Sequence, residues 1–182
     1  MAKPYDQIPE RRAIVRRRAL EEAVARLAED VPTGVEPPRG AVLTLFRDAL
    51  AHGRAEIRRR FEEPVLAALS FLMDQLIRVI FDFADQRIYP AANPSAAERL
   101  GVVATGGYGR GGLAPLSDID LLFLRPYKQT PRGEQIVEYM LYLLWDLGLK
   151  VGHATRTVEE SLRYAERDQT IRTALLEARY VW

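Results

Sequence analysis

The sequence predicts a mixed α/β (α+β) fold, with a helical region over residues 1–93 and a small module of alternating strands and helices over residues 94–182. Three observations predict it. Broad apolar stripes at helical spacing fill much of the first half, above all over residues 65–88. Short apolar runs at residues 101–104, 119–124 and 149–156 read as strands, and the segment between the last two has helical spacing. Between the halves, Tyr89, Pro90, Asn93, Pro94 and Ser95 form a turn-rich break, which places the boundary near Asn93. The order helices, strand, helix, strand, helix, strand, helices describes a small mixed module with a helical front.

In chain order, residues 1–9 carry two prolines and little that could pack, so a disordered or loosely docked arm is expected. Residues 10–30 read as one amphipathic helix with Ile14, Val15, Leu20, Val24 and Leu27 separated by charge. Its basic cluster, Arg11, Arg12, Arg16, Arg17 and Arg18, reads as a solvated face, because Glu21 and Glu22 follow at salt-bridging distance. Three prolines and a glycine over residues 31–39 end it. A second helix from Gly40 presents Leu43, Phe46, Leu50 and Ile57, with Gly53 as a weakening of about 1 kcal/mol. Pro64 interrupts the pattern, and residues 65–88 then give the longest apolar stripe, with Asp74, Asp82 and Asp85 read as surface residues. After the motif described below, residues 133–147 form a helix and residues 149–156 a third strand. Thr157 with Glu160 is a capping box opening another helix. Residues 168–182 read as a final helical stretch, and the stop at Trp182 as a truncation.

Composition narrows the function. With 182 residues, 48% of them hydrophobic, the chain has material for one sizeable core and a helical appendage. Its 26 basic and 25 acidic residues nearly cancel, so no overall field recruits nucleic acid or membrane. Cysteine is absent, which removes disulfides, zinc thiolates and thiol nucleophiles and suits a cytoplasmic location. No apolar run is long enough to span a bilayer, and the N-terminus lacks a signal-peptide core.

The chemistry concentrates in LGVVATGGYGRGGLAPLSDIDLLFL, residues 100–124. Gly106, Gly107, Gly109, Gly111 and Gly112 pave a turn after the first strand, where backbone N–H groups can approach a phosphate without interference from Cβ. A helix beginning near Tyr108 would point its N-terminus at the same place. Gly107 is expected to tolerate no side chain, because either its φ is positive or a phosphate lies against its Cα. No Gly-Lys-Ser or Gly-Lys-Thr follows, which excludes a Walker A loop, and the dinucleotide fingerprint is missing too. Instead Asp118 and Asp120 open the second strand, where alternation projects them side by side. Two such carboxylates repel, and a divalent cation with oxygen preference, Mg²⁺, is the economical relief.

Gly-Gly, a short helix and then Asp-x-Asp at a strand start resemble the nucleotidyltransferase superfamily with the DNA polymerase β type fold. The string GGYGRGGLAPLSDIDLLFL, with LYLLWDLGLKVGHATRT and TALLEARY downstream, is similar to the bacterial PII uridylyltransferase/uridylyl-removing family over roughly residues 100–182. The resemblance implies a short mixed sheet with helices on one side. It also implies transfer of UMP from UTP to a tyrosine hydroxyl of the PII signal-transduction protein, with Mg²⁺, two ions, held by Asp118 and Asp120. Those two aspartates would be the catalytic and metal residues, and Gly106, Gly107, Arg110 and Ser117 the nucleotide-binding ones. Arg110 reads equally as a clamp to an acid, and Ser117 as a brace for the turn before Asp118. Members are longer chains, so uridylyl removal and glutamine sensing are expected in domains beyond Trp182. No nucleic-acid or membrane partner is expected.

One departure stands out. The superfamily usually supplies a third carboxylate from a later strand, and LKVGHATR has none. Asp146 and Asp168 are the alternatives, with His153 as a further candidate in the site. Two rival functions remain at this point: a transferase of the same fold acting on a small molecule or RNA end, and a noncatalytic nucleotide-sensing module.

Overall fold

The computed structural model describes residues 5–60 and 65–182, which fall into two compact units divided between Pro90 and Ala91. The first unit is helical: α1 Arg11–Ile14, α2 Arg17–Leu27, α3 Arg39–Arg59 and α4 Val65–Phe83, the last running into a π-helical turn Ala84–Ile88. It is more than an appendage. Phe46, Leu72, Leu76, Ile77 and Ile80 are wholly buried, so this unit has a core of its own. No helix among the described residues is long and apolar enough to cross a membrane.

Four sequence expectations for this unit change. The single helix over residues 10–30 is broken at Val15 and Arg16, both in extended conformation. Adjacent residues on a continuous helix diverge by about 100°, and the break lets Ile14 and Val15 both turn inward and be buried. The arm is docked where it is described, with Tyr5 and Ile8 buried; residues 1–4 and Pro64 lie outside the described residues. Asp74 is no surface residue: it is fully buried and accepts a 2.6 Å hydrogen bond from the Tyr5 hydroxyl. Gly53 has a packing duty, since a Cβ there would lie 2.6 Å from Leu72 Cδ1 and 3.2 Å from the Ile14 carbonyl oxygen. His52 is exposed, as expected, and its Nε2 lies 3.0 Å from the Ala13 carbonyl oxygen.

The second unit carries the sheet. After a short 3₁₀ turn Ala96–Glu98 come β1 Gly101–Ala104, α5 Gly106–Gly109, β2 Ile119–Leu124, α6 Pro131–Asp146, β3 Val151–Arg156, α7 Val158–Arg167, α8 Gln169–Leu176 and β4 Arg179–Tyr180. The strand order is β3-β2-β1-β4, with β1 antiparallel to β2 and β4, and β2 parallel to β3. The sheet is therefore mixed. Strand β2 is central, and Ile119, Leu121, Leu122 and Phe123 are buried, as expected of a strand covered on both faces. Helix α6 makes the parallel crossover from β2 to β3. Thr130 accepts from Gly133 N at its start, Pro131 occupies the first turn, and Gly148 at φ +75° ends it. The capping box of Thr157 and Glu160 is formed, and Arg125 holds both oxygens of Glu160 at 2.8 and 2.9 Å.

The end of the chain differs from expectation. Residues 168–182 are not one helix: α8 stops at Leu176, and Arg179 and Tyr180 pair with Ala104 and Val103 as a fourth strand.

Candidate active site

The site is built where β1 hands over to α5 beside the start of β2. In the β1–β2 register Ala104 lies opposite Leu121, so the chain leaves β1 level with Asp120. Thr105 N donates to the Asp120 carbonyl at 3.0 Å, tying the turn to that residue. Gly106 follows at φ +58°, a left-handed conformation that a glycine adopts without cost. The helix begins there, rather than near Tyr108, and is one turn long. Its first backbone N–H groups, those of Gly106 and Gly107, precede any intrahelical bonding position.

This turn is fixed from behind by residues near the end of the chain. Tyr108 is buried at 1% exposure, with the Arg179 guanidinium 5.4 Å from its ring centroid. Arg179 also donates to the carbonyls of Tyr108 and Gly109, each at 3.2 Å, satisfying the end of α5. Gly109 admits no side chain: a Cβ would overlap the Glu177 carbonyl oxygen and come within 2.9 Å of the Ala104 carbonyl oxygen. Arg110 forms a 2.5 Å ion pair with Glu177, the clamp to an acid that the sequence left open.

Asp118 is exposed and immediately precedes β2, and Asp120 is half-buried within it. The Asp120 carboxyl is pushed above the usual carboxylate range, first by burial and then by the neighbouring charge of Asp118. Among the described residues neither aspartate forms an ion pair. Both oxygens of Asp120 face positions without a side chain. A Cβ on Gly106 would lie 3.1 Å from Oδ2, and one on Gly152 only 2.5 Å from Oδ1. Ser117 braces the turn that presents Asp118, its hydroxyl donating to the Ala114 carbonyl at 2.9 Å. The same turn holds Leu116 at φ +68° and 91% exposure. A left-handed conformation costs a residue with a Cβ about 1–2 kcal/mol, strain that here bends the chain into β2 two residues before Asp118.

The remaining candidates lie elsewhere. His153 pairs with Leu121 in the β2–β3 register, so it belongs to the face opposite Asp120. Its ring packs edge-on at 6.1 Å from Trp145. Asp168 caps α8, accepting from the backbone N–H groups of Thr170 and Ile171. Asp146 ends α6 in an exposed position. No cluster of three acidic, histidine or cysteine side chains able to hold a metal occurs among the described residues. Sequence reasoning missed Gly152, Glu177 and Arg179. Only Gly152, a glycine inside a strand, was a signal, since such a glycine often marks a close approach.

No protein-family model matches the chain. A protein of Rhodospirillum rubrum named bifunctional uridylyltransferase/uridylyl-removing enzyme is 53% identical over 182 residues, covering 97% of this chain and 19% of its own length. The chain is a homologue of these bifunctional enzymes. A protein of the same name from Azospirillum brasilense is 52% identical over 180 residues, 96% of this chain and again 19% of its own. The chain thus spans about a fifth of the length of the uridylyltransferase relatives it matches. The likeness runs through both units, including the helical one, where the motif resemblance had been weakest.

Proposed function

We propose that this chain carries nucleotidyl transfer, moving UMP from UTP to a tyrosine hydroxyl of the PII protein. The tyrosine hydroxyl gives up its proton to solvent as its oxygen bonds to the α-phosphorus, the bond from that phosphorus to the bridging oxygen of the β-phosphate breaks, and pyrophosphate leaves. The observation that carries the reading is the aspartate pair beside a glycine turn. Asp118 and Asp120 are close enough for one charge to raise the other's pKa, and no basic side chain compensates them among the described residues.

The donor set fits Mg²⁺. Hard carboxylate oxygens are what this ion prefers, and it is commonly bound by one or two carboxylates, with substrate phosphates and water completing its shell. Asp118 and Asp120 would hold it. When bound, divalent ions supply stabilisation of the charge on attacking and leaving oxygens.

The chain's own groups do the placing. Backbone N–H groups of Gly106 and Gly107, at the start of α5, would donate to the triphosphate. Arg110 is 59% exposed, and a Cβ on Gly107 would stand 3.6 Å from one of its guanidinium nitrogens. An exposed ion pair contributes about 0–1 kcal/mol, so Arg110 can leave Glu177 for phosphate at little cost. Ser117 acts on the turn, fixing the direction from which Asp118 enters. Uridylyl removal is not assigned to these residues: His52 and His153 are flanked by alanine and glycine, without an adjacent aspartate.

The test is to incubate the chain with PII, Mg²⁺ and each labelled nucleoside triphosphate in turn. Label from UTP on PII is the expected result. Binding of UTP without transfer to PII would replace this reading by nucleotide sensing, and transfer to another acceptor would replace the partner.

A further inference from the structure

Asp120 lies on the central strand between two chains that each present a glycine to it. On the β1 side the glycine is Gly106, and on the β3 side it is Gly152, which is directly opposite Asp120 in the parallel register. A glycine inside a strand weakens pairing and offers nothing to pack, so its presence calls for a local reason. The φ of Gly152 is not positive, so its backbone would accept alanine. Exposure is no reason either, since an exposed position in an edge strand accepts most side chains. The close approach is to one atom: a Cβ would stand 2.5 Å from Asp120 Oδ1.

From this geometry, and resting on the assignment of Asp118 and Asp120 as cation ligands, we propose that Gly152 is a positioning residue that keeps open the space Asp120 Oδ1 occupies. The carboxylate sits over the bare backbone of β3, with Gly106 limiting it on the other side at Oδ2. A methyl at position 152 meets the mobile end of a side chain, not a backbone atom. The least costly response is rotation of the Asp120 carboxylate, which leaves the strand in place and takes Oδ1 from the position it holds beside Gly152. The substitution therefore separates ligand geometry from folding.

The experiment titrates Mn²⁺ alone into the unaltered chain, Gly152→Ala and Asp118→Asn, following free Mn²⁺ by electron paramagnetic resonance, with thermal melting alongside. Gly152→Ala is expected to melt with the unaltered chain yet bind Mn²⁺ ~10-fold or more weakly, the scale on which groups that orient metal ligands act. Equal Mn²⁺ affinity for Gly152→Ala would overturn the inference while leaving the aspartate pair standing. Failure of the unaltered chain to bind Mn²⁺ would overturn the reading of the pair itself, and this inference with it. Should Gly152→Ala not fold, the double variant Asp120→Ala/Gly152→Ala decides: recovery of the fold identifies the Asp120 carboxylate as the obstacle and supports the inference, whereas continued unfolding overturns it.

Discussion

Gly107 and Gly109 stand two residues apart in one turn of helix, and the structure gives them opposite tolerances. At Gly107 a Cβ would meet an Arg110 guanidinium nitrogen at 3.6 Å and the Gly112 carbonyl oxygen at 4.0 Å, both ordinary contacts, and its φ is not positive. The expectation that its backbone forbids a side chain is thereby corrected: the positive angles belong to Gly106 and Gly111. Gly107→Ala should leave stability unchanged or raise it by up to about 1 kcal/mol, the usual gain of alanine over glycine in a helix. At Gly109 the new methyl overlaps the Glu177 carbonyl oxygen and lies 2.9 Å from the Ala104 carbonyl oxygen and 3.1 Å from the Glu177 carbonyl carbon. These are backbone atoms at the ends of α8 and β1, with no rotamer to give. Overpacking of this kind costs about 1–3 kcal/mol. For a unit of this size each kcal/mol lowers the midpoint by roughly 4–8 °C, so calorimetry should show the transition of the sheet unit falling by several degrees or more. UTP binding then tells the loop's role apart, because a phosphate against the Gly107 Cα makes Gly107→Ala weaken UTP without loss of stability. Coincident melting of Gly109→Ala and the unaltered chain would refute the packing of α5 described above, and a large fall for Gly107→Ala would refute the room assigned there.

Other consequences follow from the aspartates and from the helical unit. Asp120→Asn should abolish transfer while slightly raising the melting temperature of the metal-free chain at neutral pH, because it removes one of two repelling charges; a fall in stability would contradict the repulsion. The pH dependence has a definite sign. Since the folded chain raises the Asp120 pKa, it holds that proton more tightly than the unfolded chain, so this group's contribution to metal-free stability declines as pH rises from the ordinary carboxylate value through the raised one. The difference in melting temperature between the unaltered chain and Asp120→Asn, followed across that window, isolates the effect, and an increase in the relative stability of the unaltered chain with pH would contradict it. Tyr5→Phe removes the hydroxyl donated to buried Asp74 and should cost about 1–3 kcal/mol, read as a lower melting midpoint of the helical unit; an unchanged midpoint would show the bond to be energetically silent.

Much of the sheet was legible because its strands are local statements. Gly101–Ala104 and Ile119–Leu124 are apolar runs bounded by turn chemistry, and both strands occur at those bounds. Thr157 and Glu160 are three residues apart, so their capping box could be read directly. What stayed hidden depends on partners distant in sequence. Arg179 and Tyr180 become a strand only because β1 offers them an edge. The break at Val15 serves burial of two adjacent side chains, which helical spacing alone does not encode. Asp74 resembles any carboxylate on an amphipathic helix until Tyr5 is placed beside it. In the site, the aspartate pair and the glycine turn were visible as a motif, whereas Gly152 acquires its meaning only from Asp120 across the strand.

Asp118 and Asp120 are proposed to make together a cation-dependent UTP site next to the Gly106 turn. Isothermal titration of UTP into the chain, with and without Mg²⁺, and into Asp118→Asn/Asp120→Asn, tests it most directly. The expected result is binding that requires Mg²⁺ and is lost in the double variant while its melting is preserved. Equal UTP affinity with and without Mg²⁺, or unchanged affinity in the double variant, would contradict it.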